Sequence, residues 1–275
     1  MENINLESRN KHASFEDYEF PKVSIVIPTY NSAEIIDLTV SSVLAQEYPD
    51  FELIIVDQGS TDRTLEVVQH HKDERVQIYS ITSEIRYEIL NKGISLAKGI
   101  YVNFLFPGDF YIYNRILYQM MEVALKNRKP DMVYCGTFLR DGRSEPKVML
   151  RDVSIELLEL GRQPTSLQAC FFLTETLKMQ GKFRTDFTYR GGYDLMCRLF
   201  LDPTHRAVML PKVFVDYDLR SVTLGMVAGH FIETFQTIFT YFGLSKAIYW
   251  LFKQKDLKRI FTLWVRTLKF AFLGR

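Results

Sequence analysis

Three short polar clusters follow apolar runs between residues 23 and 109, and their residue types suit a grip on a phosphorylated ligand. Pro28-Thr29-Tyr30-Asn31 turns the chain sharply and frees backbone groups, with the Thr29 and Asn31 side chains, toward a ligand. Asp57-Gln58-Gly59-Ser60-Thr61-Asp62 carries two carboxylates. Asp57 can accept from a base imide N–H or a ribose hydroxyl, as the acidic residue of dinucleotide sites does. The same segment also reads as an Asx-turn that caps the following helix. Pro107-Gly108-Asp109 closes the set with a third acid.

The segments between these clusters alternate in period. Residues 23–27 (VSIVI) are an uninterrupted β-branched run stopped by Pro28, the pattern of a strand buried on both faces. Ser32 stands where it would cap a helix running to about residue 46. Residues 51–56 predict a second strand, 64–71 a helix and 76–80 a shorter strand. Residues 88–97 predict a helix stopped by Gly99, and 101–105 another strand. This alternation predicts an α/β fold with a mainly parallel, doubly wound sheet. In such sheets ligands lie beyond the carboxyl ends of the strands, where all three polar clusters fall. The second half reads as a helix at 114–127, strands at 132–139, 169–173 and 213–219, and an aromatic-rich helical pattern from about 224.

VSIVIPTYN (23–31), ELIIVDQGSTDRT (52–64) and NKGISLAKGIYVNFLFPGDF (91–110), in this order, resemble the family 2 glycosyltransferases of the GT-A fold. The resemblance covers roughly residues 20–220. It implies a Rossmann-like, mixed but mainly parallel sheet flanked by helices over 21–222, with a donor half (21–112) and an acceptor half (113–222). A flexible arm (1–20) precedes it, and a helical, basic, amphipathic extension (223–275) follows. The implied reaction is inverting transfer of a sugar from a UDP-, GDP- or dTDP-linked donor to a saccharide or polyprenyl-linked acceptor in surface polysaccharide synthesis. The donor would be held by Pro28, Thr29, Tyr30, Asn31, Asp57, Gly59, Ser60, Asp62, Asn91, Gly108 and Asp109. Asp109 would face the diphosphate with Mg²⁺ or Mn²⁺, whose oxygen-ligand chemistry offsets the leaving group's charge.

Two departures from the family pattern stand out. An Asp-x-Asp or Asp-Asp pair is usual where Pro107-Gly108-Asp109 keeps only the final acid. The general base usually stands in a Glu/Ala-Asp-Tyr-Asp-Leu stretch, here Gly191-Gly192-Tyr193-Asp194-Leu195, so Gly192 occupies its place. Asp194, Asp186 and Glu88 are the candidate substitutes, and Asp194 reads more readily as a helix cap than as the base. Gln168, Arg198 and Arg220 are expected on the acceptor and diphosphate side, and His230 is weighed as a further metal ligand. A homologue that binds the nucleotide without turning it over is the rival reading.

Composition narrows the classes further. Hydrophobic residues make up 47% and charged residues 24% of the 275, enough for a sizeable core and too apolar for general disorder. A net charge of +1 gives no reason to expect nucleic-acid binding. Cys135, Cys170 and Cys197 fit neither a disulfide framework nor a zinc pattern and are expected as buried free thiols. The first twenty residues hold no apolar leader, and no run of about eighteen apolar residues suggests a membrane span. A cytoplasmic chain is expected, peripheral to the inner face of the plasma membrane. From Lys246 to Arg275 eight Lys/Arg meet one acid, Asp256. Residues 256–272 put Trp264 and Phe261 opposite a basic face, which suits either an anionic leaflet or packing on protein.

Overall fold

The computed structural model describes residues 20–142, 145–220 and 223–253. All of the N-terminal arm but Phe20, and the amphipathic segment 256–272, lie outside the described residues.

Strands β1 (Val23–Thr29), β2 (Phe51–Asp57), β3 (Val76–Ser80) and β4 (Tyr101–Phe104) form the parallel half of a nine-stranded sheet. Every residue of β1, β2 and β4 is buried, which is what a continuous β-branched run between two helical layers requires. The pleat sends alternate side chains to opposite cores. Ile25, Ile27, Leu53 and Ile55 meet helices α1 (Ile36–Leu44) and α4 (Ile116–Lys126). Val26, Ile54 and Val56 meet α3 (Arg86–Leu96) and α7 (Gly191–Phe200). Each fully buried side chain of this size contributes roughly 1.5–3 kcal/mol. The three cysteines are free and buried in these layers. Ser32 does not cap α1 by its side chain: its hydroxyl donates to the Tyr30 carbonyl, and the helix starts four residues later.

The second half adds β5 (Phe110–Tyr111), β6 (Met132–Arg140), β7 (Lys147–Met149), β8 (Cys170–Leu173) and β9 (Ala207–Asp218), giving the order β3-β2-β1-β4-β8-β6-β9-β5 with β7 beside β6. Direction reverses at β4/β8, which pair antiparallel through only Tyr101↔Leu173 and Val102↔Phe172. At the next position the side chain of Asn103 takes over. Its Nδ2 donates to the carbonyls of Gln168 and Cys170, each at 2.8 Å, and its Oδ1 accepts from the Tyr111 hydroxyl at 2.7 Å. The two strands therefore part where the ladder ends, without leaving those groups unpaired.

Helix α8 (Leu224–Lys253) folds back over the second half and is broken at Gly243, whose φ is +83°. Ile238, Ala247 and Trp250 join the core, so this part of the expected extension packs on the domain. No helix among the described residues is long and apolar enough to cross a membrane.

Replacing Asn103 by Leu keeps the branching at Cγ but adds bulk and strands two carbonyls and a tyrosine hydroxyl in a buried seam. A loss of about 3 kcal/mol or more is expected, read as a lower urea midpoint at unchanged slope. An unaltered midpoint would show that the seam does not depend on this carboxamide.

Candidate active site

The ends of β1 and β2 are tied to each other by the polar residues that follow them. Asn31 adopts a left-handed backbone, φ +42°, which an Asn tolerates better than most side chains. Its Oδ1 accepts from the N–H of Thr61 at 2.9 Å, and its own N–H donates to Ser60 Oγ at 2.9 Å. Asp62 accepts from Thr64 N–H at 3.0 Å and from Ala33 N–H at 3.1 Å, so it caps the second helix and holds the loop before the first. Asp57 is 1% exposed, with Oδ2 accepting from Gly59 and Ser60 N–H at 2.9 Å and Oδ1 from Ser60 Oγ at 2.6 Å. The Asx-turn reading of this segment is the one its geometry follows. Both oxygens of Asp57 are engaged within the turn it builds. Two features face outward or wait for a partner. Tyr30 is 54% exposed at the tip of the turn, and the buried Thr29 Oγ1 has no hydrogen-bond partner among the described residues.

The third cluster joins this crevice through α1. Gly108, at φ +95°, donates its N–H to Thr39 Oγ1 at 2.9 Å, and Thr39 itself lies on α1 behind the first turn. Asp109 follows at 2% exposure. Its Oδ2 accepts from Gln168 Nε2 at 2.8 Å and its Oδ1 from Asp218 N–H at 3.1 Å. Burial pushes this carboxyl up to about 7, against the pull of those two donors. The neighbouring acid, Asp218, is paired with Arg220 and Arg140. No group of three or more His, Cys, Asp or Glu that could hold a metal occurs among the described residues. These residues do not fit a metal ion held by the protein alone.

Gln168 also lines a cavity of about 420 Å³ between α3, α7, the start of α8 and the ends of β6 and β9. Gly192 is on its wall. A Cβ added there would meet only Gln163 Nε2 and Leu167 Cδ1, at 3.7 Å, whereas one on Gly191 would fall 2.5 Å from the Tyr87 ring. The glycine at the usual base position thus leaves room, and its neighbour allows none.

Several expected site residues are placed elsewhere. Asp194 is fully buried, accepting from Arg198 Nε at 3.0 Å and from the Tyr241 hydroxyl at 2.8 Å. Two residues along a helix turn a side chain by about 200°, so a wall position at 192 sends 194 into the core. Arg198 holds Asp194 and the carbonyls of Gln180 and Lys182, away from any acceptor. Asp186 is an exposed partner of Arg184. Asn91 gives both ends of its amide to Phe183, so it pins a loop. Glu88 accepts from Ser83 Oγ at the start of α3. Arg220 lies on Asp218 at the end of β9. His230 faces the Arg190 guanidinium at 3.3 Å, a neighbour that repels a metal cation. Arg86, Arg190 and Tyr217 line the cavity and were not anticipated. Arg190, in the polar stretch leading into α7, was the most legible of them.

The family model for glycosyl transferase family 2 matches residues 24–184. An uncharacterized glycosyltransferase of Rickettsia prowazekii is 31% identical over 188 residues, 66% of this chain and 59% of that one. A PGL/p-HBAD biosynthesis glycosyltransferase of Mycobacterium tuberculosis is 32% identical over 123 residues, 44% of this chain and 48% of that one. The chain thus spans less than two thirds of the length of these relatives. Staphylococcus aureus TarS residues 1–349, solved with UDP, superposes with a TM-score of 0.64 at 20% identity, covering 80% of this chain and 65% of that one. The mannosyltransferase PcManGT of Pyrobaculum calidifontis, solved with GDP-Man and Mn²⁺, gives 0.54 at 17% identity over 90% and 80%. The curled, mostly parallel sheet with its flanking helices is the architecture of these GT-A enzymes, and the chain belongs to glycosyl transferase family 2.

Proposed function

We propose that the chain transfers a sugar, with inversion, from a nucleotide-sugar donor to a saccharide or lipid-linked saccharide. The observation that carries this reading is the cross-tying of the polar loops at the ends of β1 and β2, with Gly108, next to Asp109, bonded to α1 through Thr39. Tyr30, exposed at the tip of the turn, offers a ring face to a base. Structural neighbours were solved with UDP, UDP-GlcNAc and GDP-Man, so a nucleoside diphosphate sugar is the donor class to expect. In the transfer, the acceptor hydroxyl oxygen bonds to the anomeric carbon from the face opposite the diphosphate. The bond to the diphosphate breaks with its electron pair on the departing oxygen. Gly192 supplies no side chain for the acceptor's proton, which leaves that proton to the substrates or to water. The same absence favours a second reading, a homologue that binds the donor without turnover.

Titration of the full chain with UDP-, GDP- and dTDP-sugars, followed by release of nucleoside diphosphate with a cell-derived lipid acceptor, separates the two. Turnover is expected, and Tyr30→Ala should weaken donor binding about tenfold at unchanged thermal stability. Binding without turnover would establish the second reading, and no binding of any of the three would sink both.

Asp109 sets a pH signature. Its folded pKa, about 7, lies above the ordinary carboxyl value of 3.8, so its stabilising contribution is complete below the latter and is lost as pH rises through the former. Thermal unfolding should therefore occur at lower temperature at pH 8 than at pH 5, over a span of at most about 3 kcal/mol. Asp109→Asn should flatten that slope, with the Gln168 carboxamide turned to present its oxygen. Parallel wild-type and variant curves would refute the assignment.

We also propose peripheral contact with an anionic membrane through residues 246–275. Support comes from the basic excess of that stretch and from Ile248, Tyr249 and Phe252, exposed on the second limb of α8. Ala247 and Trp250 belong to the core, so the informative truncation ends at Lys253. Co-sedimentation with phosphatidylserine vesicles should drop for that truncation. Equal bound fractions would exclude membrane docking by the removed segment.

A further inference from the structure

A cavity that receives a sugar hydroxyl is expected to carry negative charge, because a base must face the proton. This one carries the opposite. Among the described residues no Asp or Glu lines it, whereas the guanidinium groups of Arg86 and Arg190 do, beside the His230 ring. Arg190 is 5% exposed. Its Nη1 donates to Gln163 Oε1 at 2.7 Å and its Nη2 to the Gly161 carbonyl at 2.6 Å, both neutral acceptors. Its plane lies 4.2 Å from the centre of the Tyr193 ring. Its Nε has no hydrogen-bond partner among the described residues. A buried guanidinium held by neutral groups retains most of its demand for an anion. Arg86 stands at the cavity wall over the Phe106 ring, 4.1 Å from its centre.

The nearby carboxylates are bonded to other groups, although Glu233 still acts on Arg190 and Asp109 on Arg86 through space. Glu233 of α8 accepts from the backbone N–H groups of Thr188, Tyr189 and Arg190, behind the wall. Asp109 faces Gln168 and Asp218. The His230 ring adds no negative charge: desolvation, and then Arg190, hold it down to about 4, and its Nε2 accepts from Arg190.

We propose that this cavity is an anion-accepting acceptor subsite, so that the molecule receiving the sugar carries a phosphate or carboxylate group seated between Arg86 and Arg190. The inference rests on the transfer reading above and gives the acceptor its charge. It also accounts for Gly192. A carboxylate at that position would stand in the same cavity as the acceptor's anion and repel it.

The His230 imidazole is a reporter beside the site, assigned by loss of its resonance in His230→Gln. The full chain is titrated, at constant ionic strength, with inorganic phosphate, glucuronate and glucose. An anion seated at Arg190 should raise the imidazole pKa by a unit or more, a tenfold gain in proton affinity, while glucose leaves it unchanged. A response to phosphate alone assigns a phosphate-bearing acceptor, to glucuronate alone an acidic sugar, and to both a site open to either. Arg86→Gln should weaken the responding anion at least fivefold, and Gly192→Glu at least tenfold. These two leave the buried Arg190 contacts in place, so folding is not at stake. An imidazole that treats both anions like glucose would overturn the proposal. So would one-for-one displacement of phosphate by UDP, which would assign the charge to the donor's own diphosphate. Failure of UDP, GDP and dTDP to bind at all would instead remove the transfer reading, and the imidazole response would still decide whether the anion site exists.

Discussion

The reversal of strand direction at β4/β8 is the constraint on which the site depends. A parallel half-sheet cannot continue into an antiparallel one and also open a cavity unless the ladder stops early, and a stopped ladder leaves buried carbonyls unpaired. Asn103 resolves this with one carboxamide, bonding the Gln168 and Cys170 carbonyls and receiving the Tyr111 hydroxyl. Because Gln168 is fixed by its backbone at this point, its side chain is aimed at Asp109. One buried amide thus sets where the strands part, which wall Gln168 occupies and how Asp109 is oriented.

The acids of the crevice serve geometry before they serve a ligand. Asp57 and Asp62 satisfy N–H groups of their own turns, which would otherwise be orphaned beside a strand end and a helix start. The cross-tied loops that result leave Tyr30 exposed at the tip of the turn. Pre-forming the crevice in this way reduces the ordering that a donor must impose on binding.

The parallel half was legible because its signals were local. The β-branched runs at β1 and β2 fixed strands buried on both faces, and the polar clusters marked their ends. What stayed hidden depended on contacts between distant segments. The two-residue β5 carries no periodicity, and Asn103 in a buried strand reads as a blemish until its partners 65 and 67 residues away are known. Asp194 shows the same limit from the other side. Motif matching placed it near chemistry, and only the helix phase, fixed by Gly191 against Tyr87, turned it into the core. Helix α8 reads from its sequence as part of an extension, because nothing local in 224–253 names the residues it packs against. The three backbone N–H groups that converge on Glu233 identify it as part of the domain.

That last contact connects the fold to the chemistry of the cavity. An acid on α8 sits where it could neutralise Arg190 directly, yet it binds the backbone leading into α7 and leaves the guanidinium to neutral carbonyl oxygens. Backbone N–H groups at a helix entry are fixed dipoles, whereas a guanidinium is a full charge whose desolvation must be offset by something. With Glu233 committed to the first and Asp109 held by Gln168 and Asp218, the second keeps its field directed into the open cavity. The wall is therefore positively charged by construction, and Gly192 is the position at which a single side chain would reverse it.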